Sequence, residues 1–275
     1  MGYRDSPGVQ ERIPGRPRLA ARPRACHPAR VLLLPATAAA SLPLARADGR
    51  AFAGLALTAA PAAALGAAGA DFLHPEELAA WAAAGVEKRR DDYLRGRYAA
   101  KLALDRAGAP GPAPARAILP GVFGQPVVRG GGGWQVSLAH SGGRAAAVAF
   151  PEEHPLGIDL EACDSGHAAT LARDLSPAEA DWVATAGLDS LVALTALWAA
   201  REALSKVLRT GLMTSFAHFR VAPPTAVPGG WRAEYVEFPQ YQAALLPRPG
   251  FVLALALPRR TTLPWPELSA TVTGF

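Results

Sequence analysis

From Leu188 to Thr210 the chain runs without glycine or proline, and Leu191, Leu194, Leu197, Trp198, Leu204, Val207 and Leu208 recur at helical spacing. Gly211 offers a stop, so one long helix is predicted here. Some forty residues earlier, Leu156-Gly-Ile-Asp-Leu160 is a short apolar run broken only by an acid, which reads as a strand end. Residues two apart on a strand point the same way, so Asp159 and Glu161 would share one face. Glu202 and Lys206, four apart, would be neighbours on the helix.

Two carboxylates that close repel unless a cation lies between them. Hard oxygen donors on a short motif suit Mg²⁺, which one or two carboxylates hold while water and substrate phosphates complete its shell. Glu202 adds a third carboxylate, for the metal or as a base, and Lys206 adds a nitrogen for phosphate. Taken singly, each pair has a plainer meaning: Asp-x-Glu after a strand is common, and Glu-to-Lys at four-residue spacing is mostly a solvated face. In this order, with Trp198 four residues before Glu202, the stretch resembles the signature of the 4'-phosphopantetheinyl transferases, Gly-Ile-Asp-x-Glu followed by Trp-x-x-Lys-Glu-Ala-x-x-Lys. Arg201 stands where that pattern has its first Lys. Because both are cationic, Arg201→Lys is expected to be mild.

Half of the residues are hydrophobic, enough for a sizeable core in one large domain or two small ones. Two cysteines make no disulfide framework, and a reducing cytoplasm is the default expectation. Of the formal net charge of +5, residues 1–50 carry +6, from nine Arg against Asp5, Glu11 and Asp48, leaving about −1 for the remainder. The basicity is therefore no argument for nucleic acid. Residues 1–42, rich in Pro and Arg, are expected to be disordered. An N-terminal half over 43–153 and a C-terminal half over 154–275 are expected to follow. Ala51 to Thr58 reads as a buried first strand and 59–70 as loop; Pro61 and the weakly apolar Ala/Gly content argue against a membrane span.

Pro75-Glu76-Glu77 opens a helix, and a second runs from Glu87 to Arg106. The second carries Lys88, Arg89, Arg90, Arg95, Arg97 and Lys101, six cations in fourteen residues, which makes an anion site a candidate. In the resembled family such a helix holds the 3'-phosphate of coenzyme A, which implies Arg89 and Arg97 as contacts. Gly108 to Pro126 reads as a turn-rich linker, where Gln125 replaces the Lys of the family's Gly-Lys-Pro turn. Strands at 134–138 and 145–150 flank His140-Ser-Gly-Gly143, a hairpin turn. Ser137-Leu-Ala-His-Ser141 resembles the family's Ser-x-Ser-His-Ser, which implies His140 and Ser141 as nucleotide contacts; Ala139 takes the place of a Ser. Ser176-Pro177 with Glu179 forms a capping box for a helix over 177–186. Short strands are expected near 216–221, 231–238 and 251–257.

The succession of helix, helix, strand, strand after residue 75 is echoed after 177. Such a repeat resembles the family's α+β fold, a pseudo-twofold duplication within one chain, and implies a monomer. The resemblance further implies Mg²⁺ held by Asp159, Glu161 and Glu202, with Glu202 and Lys206 as catalytic groups. Coenzyme A would be the co-substrate, with Lys206 among its contacts, and an acyl or peptidyl carrier protein the partner. A catalytically weakened coenzyme A binder is the alternative. A nucleotide hydrolase of the Walker type is disfavoured, because Gly130 to Gly133 is not followed by Lys-Ser or Lys-Thr.

Overall fold

The computed structural model describes residues 31–47 and 49–275. The chain opens on strands β1 (Thr37–Arg46) and β2 (Gly49–Thr58), then helices α1 (Ala62–Ala67), α2 (Gly69–Phe72), α3 (Pro75–Ala83) and α4 (Glu87–Ala107). Strands β3 (Ala117–Pro120), β4 (Pro126–Arg129), β5 (Trp134–Ser141), β6 (Arg144–Pro151) and β7 (Gly157–Ala162) follow. Then come α5 (Ala168–Ala172), α6 (Pro177–Thr185) and α7 (Ser190–Leu208). The chain closes with β8 (Thr225–Val227), β9 (Gly230–Glu234), β10 (Tyr241–Arg248), β11 (Phe251–Pro258) and α8 (Trp265–Thr273).

Two antiparallel sheets, ordered β1-β2-β6-β5 and β7-β11-β10-β9-β8, carry the architecture. Both faces of each are covered, and the strands sort their residues accordingly. Along β11, Leu253, Leu255 and Leu257 enter a core shared by both sheets, while Val252, Ala254 and Ala256 face α7. Along β2, Leu55 and Leu57 enter the shared core and Ala56 faces α4. Leucine fills the space between sheets, and alanine lets each helix lie close. Gly54 and Gly157 complete that approach: a Cβ there would stand 1.8 Å from the Ala103 carbonyl oxygen of α4 and 2.1 Å from the Ala203 carbonyl oxygen of α7, respectively.

The α+β duplication is visible in the chemistry as well as in the strand order. In the first half, His74 caps α3 with Glu77 in a capping box; in the second, Ser176 caps α6 with Glu179. Each glutamate is fully buried, accepts a backbone N–H from the chain beyond the following helix (Ile118, 2.8 Å; Val221, 2.9 Å), and pairs with a buried cation on that helix. Those cations are Lys101, 2.8 Å from Glu77, and Arg201, 2.7 Å from Glu179. Each glutamate thus fixes one cap, one long helix and one returning segment of chain.

Several expectations need correction. Strand β1 begins at Thr37, inside the stretch expected to be disordered to Leu42; Leu42 and Leu44 are fully buried in the shared core. Pro43 is tolerated because β1 is an edge strand, where a missing N–H removes no ladder bond. The expectation for residues 1–30 lies outside the described residues. The expected first strand is the second, and 59–70 contains α1 and α2 instead of loop. The expected linker before Pro126 contains β3, paired with β4. Residues 216–221 form a single 3-10 turn and one bridge between Val221 and Tyr235, not a strand. Strand β10 and helix α8 had no forecast; Pro247 in β10 lies past Leu245, where the pairing with β9 ends.

Candidate active site

The edge strands β5 and β7 of the two sheets meet side by side and are stitched by two serines. Ser137 Oγ accepts the Ile158 N–H at 3.1 Å, and Ser141 Oγ accepts the Ala162 N–H at 3.1 Å. Between them Ala139 is buried in the shared core, so its methyl suits a place where a hydroxyl would need a partner. Along this seam lie the groups expected from the sequence, with α4 on one side and α7 on the other.

Asp159 points from β7 towards α7. Its Oδ1 is 2.6 Å from Lys206 Nζ, which also donates to the Ile158 carbonyl at 3.0 Å. Its Oδ2 is buried without a hydrogen-bond partner. Glu161, two residues on, accepts from the Ser141 hydroxyl at 3.1 Å. Burial and then the Asp159 charge push the Glu161 carboxyl up to about 7, against the opposing pull of Ser141 and Lys206. Glu202 on α7 is raised for the same two reasons, with Lys206 opposing. Beneath them the fully buried Tyr235 donates to the Ala200 carbonyl at 2.6 Å, and burial, reinforced by Asp159, keeps its phenol protonated.

Asp159, Glu161, Glu202 and Lys206 therefore form one electrostatic cluster, as the spacing predicts. As the side chains stand, no group of three or more His, Cys, Asp or Glu among the described residues is arranged to hold a metal ion. Lys206 occupies the oxygen of Asp159 that a cation would otherwise take. The donor set still suits a hard divalent cation, since Asp159 Oδ2 lacks a partner and the neighbouring carboxylates resist ionising together.

The six cations of α4 divide. Arg95 pairs with Asp91 and Asp92, Arg90 lies over the Trp81 ring, and Lys101 is buried against Glu77. Lys88, Arg89 and Arg97 instead line a cleft of about 390 Å³ that His140 also lines. Arg97 stacks 4.5 Å from the Tyr93 ring centroid and stands 3.6 Å from Glu77. His140 is half exposed, 3.9 Å from Asp92. Ser141 faces Glu161, so its hydroxyl belongs to the carboxylate cluster. Arg97 and Leu138 also line a second cleft of about 320 Å³, which continues to Lys206. The two clefts thus adjoin at Arg97 and Leu138 and lead from Lys88 to Lys206, the ion-pair partner of Asp159.

Two positions that depart from the family pattern have structural partners, although Gln125 also lines the second cleft. Gln125 Oε1 accepts the Phe123 N–H at 2.9 Å, closing the β3–β4 turn on itself. Arg201 turns away from Glu202, and its guanidinium binds Glu179 and the Asp174 carbonyl, a structural position. Sequence reasoning missed Ser137 and Tyr235, whose roles depend on partners distant in the chain.

A family model of the 4'-phosphopantetheinyl transferase superfamily matches residues 155–244, and a model of the 4'-phosphopantetheinyl transferase N-terminal domain matches residues 74–150. The chain belongs to the 4'-phosphopantetheinyl transferase superfamily. No curated protein sequence matches it. No helix among the described residues is long and apolar enough to cross a membrane.

Proposed function

We propose that this protein transfers 4'-phosphopantetheine from coenzyme A to a serine of an acyl or peptidyl carrier protein, releasing 3',5'-ADP. The observation that supports it most is the cluster of Asp159, Glu161, Glu202 and Lys206, whose Lys206 lines a cleft adjoining, at Arg97, the one lined by Lys88, Arg89 and His140. Such a pair of clefts suits a ligand with phosphates at two separated points, a 3'-phosphate at the α4 end and a diphosphate at the α7 end.

The serine oxygen attacks the pantetheine-side phosphorus, the diphosphate P–O bond breaks, and 3',5'-ADP leaves with the electron pair. Glu202, with whatever oxygen the metal leaves open, accepts the serine proton. Lys206 donates to a phosphate oxygen and offsets charge there. Asp159, Glu161 and Glu202 would hold Mg²⁺, which would neutralise charge on the diphosphate and stabilise the departing 3',5'-ADP. Arg89, Arg97 and His140 anchor the nucleotide, with Ser141 orienting Glu161. The protein acts as a monomer, since both halves of the site lie in one chain.

Release of 3',5'-ADP, followed chromatographically with coenzyme A, Mg²⁺ and an apo carrier protein, tests the reading. Release should require the carrier, and Lys206→Ala should slow it about 10²-fold or more. Release without any carrier protein would point to hydrolysis of coenzyme A instead.

A further inference from the structure

The second cleft lacks a cation at the β3–β4 turn, where Gln125 is spent on holding Phe123, yet the opposite wall carries one that nothing so far explains. Arg209 closes α7 in the left-handed conformation (φ 57, ψ 28). A helix commonly ends on such a residue, but glycine is the usual occupant because a Cβ is strained there. Gly211, two residues on, shows that this segment does use glycine where φ is positive. An arginine kept in place of the unstrained residue calls for a compensating use.

Its surroundings indicate one. Arg209 lies three residues after Lys206, is exposed, and lines the same 320 Å³ cleft as Arg97 and Lys206. Among the described residues no carboxylate pairs with its guanidinium; Glu152, the one acid on the cleft wall, makes no ion pair with it. Phe123, Val136, Leu138, Phe150 and Leu156 supply the apolar remainder of the lining.

We infer that Arg209 binds the diphosphate of coenzyme A beside Lys206, providing the cation that the Gln125 turn lacks. The inference rests on the transferase reading and names a specific residue of that site. A planar guanidinium can grip two phosphate oxygens at once, which suits a diphosphate better than a single ammonium would.

Binding and stability should move in opposite directions on substitution, which separates this role from a structural one. Arg209→Gly relieves the backbone strain and should raise Tm by about 2 °C. The same change should weaken coenzyme A binding about tenfold by calorimetry in Mg²⁺ buffer. Adenosine 3',5'-bisphosphate lacks the pantetheine-side phosphate, so its affinity should change much less. Arg209→Lys keeps the charge and the strain, and should hold coenzyme A within about threefold of native. Should Arg209→Gly bind coenzyme A as tightly as the native chain does, the inference falls while the transferase reading stands. A native chain that binds no coenzyme A overturns both.

Discussion

At the scale of single residues, the two positions that depart from the family pattern on α7 and at the β3–β4 turn separate cleanly. Arg201 has exchanged one cation for another at a buried structural post. Its fork spans Glu179 and the Asp174 carbonyl, so Arg201→Lys should keep the ion pair, lose one contact, and cost about 1 kcal/mol. Arg201→Ala leaves Glu179 buried and uncompensated, and should cost about 3 kcal/mol or more in denaturant unfolding. Neither change should alter the transfer rate of the folded protein. Glu179 also sets a pH dependence. Burial alone would raise its carboxyl, but hydrogen bonds from Arg201, Ser176 and the Val221 N–H outweigh that, and the net shift is downward from 4.5. A carboxyl depressed in the fold contributes stability that is complete above its unfolded value and is lost as pH falls through the folded value. Stability of the native chain should therefore decline below about pH 4.5. Glu179→Gln should be less stable at neutral pH and show a shallower acid limb; an unchanged acid limb would contradict this account of the carboxylate.

Among the elements, the seam between α7 and β7 matters most, since it sets Asp159 against Lys206. Gly157 makes that distance possible by bringing the strand against the Ala203 carbonyl. Gly157→Ala should push the two apart, cost about 1–3 kcal/mol, and slow transfer as well. Gly54→Ala makes the same intrusion in the first half, against Ala103, and should cost similar stability with less effect on transfer because no carboxylate cluster lies there. What could be read from sequence at this scale followed from local rules. Helix α7, the Ser176 capping box and the β5–β6 hairpin are written in spacing, caps and turn glycines. Strand β1 was hidden because its evidence is non-local: Leu42 and Leu44 gain burial from a core that includes the second sheet and α8, and Pro43 is acceptable only at an edge. Similarly, the α4 cations look alike in sequence, and only Glu77, Asp91, Asp92 and Trp81 decide which are consumed structurally.

For the molecule as a whole, the two halves share one core between their sheets, and the clefts follow the line where β5 meets β7. Neither half presents the clefts alone: Arg97 and His140 come from the first, Lys206 and Arg209 from the second. The duplication also shows how one scaffold carries two tasks, with buried glutamate–cation pairs conserving the architecture on both sides and the carboxylates confined to one. The carboxylate cluster was legible from the spacing of Asp159, Glu161, Glu202 and Lys206, whereas Arg209 was not, because its left-handed backbone and its lack of an acidic partner are properties of the fold. The most direct test of the central claim is the intact mass of an apo carrier protein after incubation with this protein, coenzyme A and Mg²⁺. The account predicts a gain of one phosphopantetheine that disappears with Asp159→Ala and with a chelator; an unchanged mass across fatty-acid, polyketide and peptide carriers, with coenzyme A still bound, would contradict it.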